Sequence, residues 1–489
     1  MEKPRRNHLY ALGSGGVAEV LLLCLLARHG NFLRAGEAWR FTACGVAAGV
    51  AYWLAASSFA RANLSARQRR RIFWSGAVVL RLAVATVEPG DDLWRYRWEG
   101  MIQLHGFNPY ALSPDAPPLA SLRDADWSKI NHRNFAAIYP PFAQGCFAAL
   151  AWLGNSVWLY KALFALTDLA ICAVARKLLV QVRINPDRAV WYAWNPLAVY
   201  AFAGAAHFDG LMILPLLGAV WMLGRFVDGQ GRSSGESASA RSPAALWTSA
   251  LLLGVAIGVK FIPVVLLPVW GFAAGSWRRA LGLIPFAGLP LALSAVAYGF
   301  PGVPVFATLQ RFGRVFRVND PVWSTLESIA GASPSGGNTV YGCLTASACL
   351  LVAFWFRRDW RRGLLWVWGA ALLLSPVVHA WYVLWVLPIG VWRGSPAKAW
   401  FVLSISMFGY FLLWEVNHES GRPWEEPLWL RLSIYLPPLV VVLVSITRRR
   451  RSGAPMNRIS SRLSPLHPTA KDGNKASEAF SPPSFHFFR

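Results

Sequence analysis

The chain of 489 residues is 55% hydrophobic, carries 26 Trp and 28 Phe, and has only 15% charged residues, which excludes a soluble domain of this length and leaves a polytopic membrane protein. Its net charge of +24 would suit nucleic acid if the basic residues formed one patch. They fall instead in short clusters between apolar runs, so they read as topology and exclude a nucleic-acid partner.

A spanning helix needs about 20 apolar residues. In chain order the candidate spans are 9–27, 39–59, 72–87, 156–175, 190–206, 210–226, 244–260, 262–275, 280–299, 339–356, 363–378, 381–393, 399–414 and 430–447. The expected fold is an all-α polytopic bundle of about 12 to 14 transmembrane helices. The first run carries Glu19 and is followed by Arg28 and His29, with no small-residue cleavage site, so it reads as a retained helix. Cys24, Cys44, Cys146, Cys172, Cys343 and Cys349 lie in or beside apolar stretches without a CxxC pair, which argues for packing and against a disulfide framework or zinc site.

Lys and Arg cluster at 3–6, 67–71, 176–183, 357–362 and 448–451. If the spans alternate, these clusters share one side, the positive-inside pattern that puts both termini in the cytoplasm. The opposite side then receives loops 88–155, 300–338 and 414–429. Residues 1–451 read as the multi-spanning region, 228–243 as a Gly/Ser-rich cytoplasmic linker, and 452–489 as a disordered cytoplasmic tail. No repeat of fixed period is visible.

Chemistry concentrates in loop 88–155, a long connection of the kind that is usually functional, with short interfacial helices expected within it. "GDDLWRYRWEG" follows the third span directly. Asp92, Arg95 and Glu99 stand at helical spacings of three and four, so they project from one helix face with Tyr96 beside them. Helix capping by Asp91 or Asp92 and an interfacial aromatic belt account for part of the pattern but not for the polar stripe. Two adjacent carboxylates raise one another's pKa, which suits a general base. Lys260 interrupts a strongly apolar run, a costly placement that points to a protein interior or aqueous cavity, although a snorkelling residue at a helix break reads the same way. Arg311, Arg314 and Arg317 recur every three residues and could ring a phosphate, or could form a basic interfacial face. His207 and Asp209 in "AHFDG", and His379, Trp381 and Tyr382 in "HAWY", fall at span ends on the same side as Asp92. Trp94, Trp98, Tyr96 and Tyr139 offer flat faces for sugar rings, although interfacial anchoring needs the same residues.

"DDLWRYRWEG", "GFNPY", "IYPPFAQ", "AHFDG" and "HAWYVLWVLP" resemble the membrane-embedded glycosyltransferases of the C superfamily, most closely the bacterial polyprenol-phosphate-mannose-dependent mannosyltransferases. The resemblance runs from about residue 72 to 447 and leaves out the first two helices and the tail. Phe208 and Ala380 replace an asparagine and a proline usual in the family's two histidine motifs. It implies a sugar, mannose by this likeness, moved from a polyprenyl-phosphate donor to a glycan or glycolipid acceptor on the extracytoplasmic face of a bacterial plasma membrane. It also implies that Asp92, followed by Arg95 and Tyr96, is the catalytic aspartate, with Asp91 as the alternative. The substrate-binding candidates are then Arg95, Tyr96, Glu99, Tyr139, His207, Asp209, Lys260, Arg311, Arg314, His379, Trp381 and Tyr382. No metal cluster is visible; Asp91 and Asp92 could hold a divalent cation, Mg or Mn, with the donor phosphate, but the sequence does not require one. A polytopic transporter or lipid flippase would share the charged outward cavity, but its ionisable groups should sit near the bilayer midplane in repeated, broken halves.

Overall fold

The computed structural model describes residues 3–230, 243–299, 301–331, 337–392, 395–417 and 425–451; most of the expected linker 228–243 and all of the expected tail 452–489 lie outside them. The chain forms two units, Met1–Leu443 and Val444–Arg489, and the site lies in the first. Among the described residues every regular element is helical, apart from an isolated bridge pairing Val318 with Val377. The protein is an all-α polytopic membrane protein.

Among the described residues seven helices are long and apolar enough to cross a membrane: Asn7–Leu26, Glu37–Arg61, Gly210–Gly229, Trp277–Gly299, Asn338–Trp355, Lys398–Val416 and Leu428–Arg448. They belong to helices α1 (Lys3–Leu26) and α2 (Glu37–Arg61) and to later elements. Between them lie α3 (Ala66–Ala83), α4 (Asp91–Leu104), α5 (Pro141–Trp152) and α6 (Val157–Gln181). The segment read as one span at 190–206 is instead α7 (Val190–Ala193), α8 (Pro196–Val199) and a π-helix, Tyr200–Gly204. Asn195-Pro196 explains the break, because proline has no N–H to give and the Asn195 side chain caps α8 by accepting from the N–H groups of Leu197 and Ala198. Then come α9 (Gly210–Gln230), α10 (Pro243–Val259), the 3-10 turn Ile262–Leu266 with α11 (Leu267–Ala273), and α12 (Trp277–Gly299). Loop 300–338 contains α13 (Ala307–Val315) and α14 (Trp323–Ala330), which apolar-run counting passed over. After α15 (Asn338–Trp355) and α16 (Trp360–Leu373), the expected span 381–393 is a 3-10 turn, Ala380–Trp385, running into α17 (Leu387–Gly390). The chain closes with α18 (Ser395–Ser406), α19 (Leu412–Val416) and α20 (Leu428–Arg451). Such irregular backbone is tolerated in a membrane only where protein buries it, and Tyr200–Gly204 and most of Ala380–Trp385 are indeed buried.

Small residues let the helices approach closely. A Cβ on Gly15 of α1 would stand 3.1 Å from backbone atoms of Ala51 and Ala55 in α2, and one on Gly254 of α10 would meet the Ala287 carbonyl of α12. Deeper in the bundle, Arg81 of α3 donates to Asp168 Oδ2 of α6 at 2.6 and 3.0 Å and to the Ala77 and Ala193 carbonyls, while the Tyr192 hydroxyl donates to Asp168 Oδ1 at 2.6 Å. Arg81 is 3% exposed and Asp168 0%, so each charge depends on the other. Arg81→Ala is expected to cost about 3–5 kcal/mol by stranding a buried carboxylate. A large fall in the detergent melting temperature, with the site's own residues intact, is the measurement that checks it.

Candidate active site

Three separate backbone arms deliver the polar groups to one place. On the first arm, the chain leaving α3 is pinned by Lys161, whose ammonium donates to the Ala85 and Val87 carbonyls at 2.8 and 2.6 Å. Gly90 then donates its N–H to the Ala205 carbonyl at 2.9 Å and serves as the N-cap of α4. Gly90 makes no side-chain cap, and neither aspartate occupies the cap position: Asp91 and Asp92 sit in the first turn, where the helix dipole favours their charge. α4 lies against α5 so closely that a Cβ on Gly100 would run into the Phe147 carbonyl. Gly100→Ala is expected to push α4 off α5 at a cost of about 1–3 kcal/mol. It should lower activity and melting temperature together, because α4 carries the carboxylates.

The second arm is the π-helix and the turn after it. Ala206 adopts a left-handed conformation, φ 61°, that costs a non-glycine residue roughly 1–2 kcal/mol. That turn lets the His207 N–H reach the Ala201 carbonyl at 2.9 Å and aims the His207 and Asp209 side chains at α4 and α10. On the third arm, Val318 pairs with 376–378 through two backbone bonds, and Asn319 Nδ2 donates to the Val378 carbonyl at 3.1 Å, which sets His379 and the 3-10 turn behind it.

The arms converge on Asp92. His207 Nδ1 stands 3.7 Å from Asp92 Oδ2 and takes no hydrogen bond. The His207 and His379 rings both stack on the Trp381 indole, at centroid distances of 3.6 and 4.6 Å, and the Tyr410 hydroxyl lies 2.6 Å from His379 Nδ1. Lys260 Nζ donates to Asp209 Oδ1 at 2.7 Å and is surrounded by the rings of Phe208, Tyr382 and Trp385 at 5.3, 4.5 and 4.9 Å. Trp385 Nε1 donates to the same Asp209 oxygen at 2.7 Å, while Asp209 Oδ2 is buried and unpartnered.

Each carboxylate oxygen of the acid pair can be followed. Asp91 Oδ1 accepts from the Asp92 N–H at 3.0 Å and Asp91 Oδ2 from Asn131 Nδ2 at 3.2 Å. Asp92 Oδ1 accepts from the same Asn131 nitrogen at 3.0 Å, which leaves Asp92 Oδ2 without a donor. Asp91 is exposed to water at its surface yet densely ringed by protein farther out, so desolvation, followed by the neighbouring Asp92 charge, raises its carboxyl to about 6. Asp92 goes the other way. Burial works to raise it, but the positive environment of His207 and His379, the Asn131 amide and Lys260 outweighs that and holds it below the usual carboxylate range. Burial depresses His207 to about 4 and His379 to about 3, so both imidazoles are neutral at pH 7, where the Asn131 amide and Lys260 remain to favour the Asp92 anion.

The remaining sequence candidates take supporting positions. Arg95 and Glu99 form a buried pair at 3.0 Å one and two turns below Asp91, and Glu99 Oε2 accepts from Gln144 at 2.6 Å. Tyr96 stacks on Phe147 at 4.7 Å and, with Tyr139 and Phe208, fills the packed floor behind Asp92 instead of presenting an open face. Arg311 lies over the Phe135 ring at 4.6 Å, at the edge of loop 88–155, while Arg317 is taken by Asp320 and Glu327. Arg314 is exposed and forms no ion pair among the described residues. Asn131, Trp385 and Tyr410 were not singled out in the sequence; only the Asn-His turn in "INHRNF" hinted at the first. Among the described residues no group of three or more His, Cys, Asp or Glu is placed to hold a metal ion.

The acid pair, the aromatic-boxed Lys260 ammonium and the stacked His207, Trp381 and His379 rings thus form one polar cluster within the helical bundle. The family model for the alpha-(1->6)-mannopyranosyltransferase N-terminal domain, the MptA_B family, matches residues 11–276, more than half of the chain. The chain belongs to this mannosyltransferase family. Comparison with curated proteins and with solved structures gave no match. The matched region begins inside α1, so the first two helices, which the resemblance left out, are part of the family region. It contains Asp91, Asp92, His207, Asp209 and Lys260, whereas Arg311, Arg314, His379, Trp381 and Tyr382 lie beyond it.

Proposed function

We propose that this protein moves a mannosyl group from a polyprenyl-phosphate donor to a primary hydroxyl of a glycan or glycolipid on the extracytoplasmic face, forming an α-1,6 linkage. The observation that carries the proposal is Asp92 Oδ2: an ionised oxygen with no hydrogen-bond donor among the described residues, on a side chain 20% exposed. It accepts the proton as the acceptor oxygen bonds to the anomeric carbon, and the bond from that carbon to the phosphate oxygen breaks with its electron pair leaving on the phosphate. Lys260 supplies positive charge for the departing phosphate, with Arg311 and Arg314 of α13 at the rim. Trp381, stacked by both imidazoles, and Tyr382, stacked on Trp385, hold the site's rings in place, and His207 and His379, neutral at working pH, offer hydrogen bonds without competing for the proton. Arg95 and Glu99 act by holding the loop. Asp91 and Asp92 would be the residues to hold a divalent cation, which would supply further positive charge for the donor phosphate.

The linkage and hydroxyl rest on the family description, and the lipid donor on the resemblance in sequence, supported by a site whose His207 and Asp209 adjoin the start of the spanning helix Gly210–Gly229. The basic clusters support the orientation. Arg69 of α3 and Arg176 of α6 both pair with Asp187, at the opposite ends of these helices from the Lys161–Val87 contact that leads to Asp92, as the positive-inside orientation requires. Purified protein in liposomes, given polyprenyl-phosphate mannose and an α-mannoside, should yield α-1,6-extended product and none with a nucleotide-sugar donor. Transfer from the nucleotide sugar alone would overturn the donor assignment. Labelling of a cysteine placed in 67–71 from the outer side would overturn the orientation.

A further inference from the structure

We propose that Asn131 is a positioning residue for the acid pair: its carboxamide, locked in place by Arg95, ties Asp91 to Asp92 and leaves Asp92 Oδ2 as the one oxygen free for the acceptor hydroxyl. This inference rests on the reading of Asp92 as the base.

A carboxamide has two N–H donors and one carbonyl acceptor. Both donors of Asn131 go to carboxylates, Asp91 Oδ2 at 3.2 Å and Asp92 Oδ1 at 3.0 Å, and its Oδ1 accepts from Arg95 Nε at 3.2 Å. The reversed amide would set an oxygen against two carboxylate oxygens and an NH2 against a guanidinium N–H, so the network dictates the orientation. Arg95 is itself fully committed. Besides Asn131 Oδ1 it donates to the carbonyls of Asn131, His132 and Phe135 at 2.6, 2.7 and 3.3 Å and to Glu99 Oε1 at 3.0 Å. These contacts use every N–H a guanidinium has, and none is left for a substrate. Two successive carbonyls reach one guanidinium because His132 adopts a left-handed conformation, φ 46°. A strained residue persists where its surroundings fix it, and here the Arg95 clamp fixes it.

The arrangement answers a geometric problem. Successive residues of a helix point about 100° apart, so nothing in α4 itself aligns Asp91 with Asp92, and their like charges drive them apart. Asn131 reaches across from loop 88–155 and holds one oxygen of each. It is also the only hydrogen-bond donor to the Asp92 side chain among the described residues. Removing it frees Asp92 to rotate away from the cleft and takes a donor from both carboxylates, which raises their proton affinity. The other groups facing the pair are His207, Asp209, Lys260, His379, His132, Glu99, Tyr96, Tyr139, Tyr200, Tyr382 and Tyr410. Burial depresses His207 and His379 to about 4 and 3, burial and Arg95 lower His132, and the phenols of Tyr96, Tyr139, Tyr200 and Tyr382 are pushed up, so the acidic limb reports carboxylates. Glu99, which burial raises, is common to the parent and the Asn131 variants, and the shift between them reports the acid pair.

The test compares Asn131→Ala, Asn131→Gln and Asp92→Asn in the full-length protein, with mannosyl transfer from polyprenyl-phosphate mannose followed from about pH 3 to 8. Asn131→Ala should lower kcat at least tenfold with the donor KM within about twofold, and should move the acidic limb up by about one pH unit. Asn131→Gln, which keeps the amide on a longer stem, should recover part of the rate and move the limb back. Unchanged kcat and an unmoved limb in Asn131→Ala, with Asp92→Asn inactive, overturn the role of Asn131 alone. An active Asp92→Asn overturns the base assignment beneath it. If Asn131→Ala does not fold, Asn131→Ser, which removes both amide donors with a polar side chain kept, takes its place, and a wild-type limb with wild-type kcat there overturns the proposal.

Discussion

Asp92→Asn is expected to abolish mannosyl transfer, by about 10²- to 10⁴-fold, in a protein that inserts and melts like the parent. The amide keeps the size of the carboxylate, and its carbonyl can still accept the Asn131 bond that Asp92 Oδ1 accepts at 3.0 Å. The new NH2 would stand where Asp92 Oδ2 now faces the unpartnered His207 Nδ1 at 3.7 Å, within easy adjustment of a hydrogen bond. Structure is therefore preserved while the one free proton-accepting oxygen is lost, so the change falls on chemistry. In free-energy terms the loss corresponds to about 3–5 kcal/mol of barrier. Asp91→Asn should be milder, because both Asp91 oxygens already accept internal bonds. It should leave the acidic limit of Asp92 where it is, since Asp91, raised to about 6, is already neutral at the pH where Asp92 takes up its proton. The measurement is initial transfer rate in membranes with matched protein levels; near-parental activity in Asp92→Asn would remove it from the reaction.

The polar residues that meet at this site stood out in the sequence because charge at the end of an apolar run is expensive and needs a reason. That argument located Asp91, Asp92, His207, Asp209, Lys260 and His379, and chain alternation put them on one side. It could not pair them. Lys260 and Asp209 are 51 residues apart, and nothing local shows that one neutralises the other or that Trp385 shares the same oxygen. Spacing placed Arg95 and Glu99 on one face correctly, yet the reach of Arg95 to Asn131, 36 residues on, is set by the fold of the loop. The fold was legible in the same uneven way. Uninterrupted apolar runs such as 37–61 and 277–299 are single helices, the latter despite Pro285 and Pro290. The runs at 190–206 and 380–390 are broken because they surround the site, where backbone must depart from the helix to turn His207, Asp209 and His379 inward. Hydropathy registers that such a stretch is buried and is blind to the departure.

Lys260→Met is expected to lose transfer and stability together, and the two losses can be pulled apart. Asp209 is 0% exposed, one of its oxygens has no partner, and without the ammonium its charge would keep only the Trp385 N–H. Stranding a buried carboxylate costs about 3–5 kcal/mol, enough to lower the melting temperature severely. Adding Asp209→Asn removes that charge while its side-chain carbonyl can still accept from Trp385, so the double variant should regain most of the stability. It should not regain transfer if Lys260 serves the donor phosphate, because an ammonium boxed by three rings and 16% exposed retains N–H groups beyond the one given to Asp209. Lys260→Arg would keep the charge but force a larger planar group into a box sized for an ammonium, and should fall between the two. The decisive comparison is the donor kcat/KM of the double variant against its melting temperature. Stability restored with transfer still down by two orders of magnitude or more assigns Lys260 to the leaving phosphate, whereas recovery of both would mean that its work is confined to neutralising Asp209.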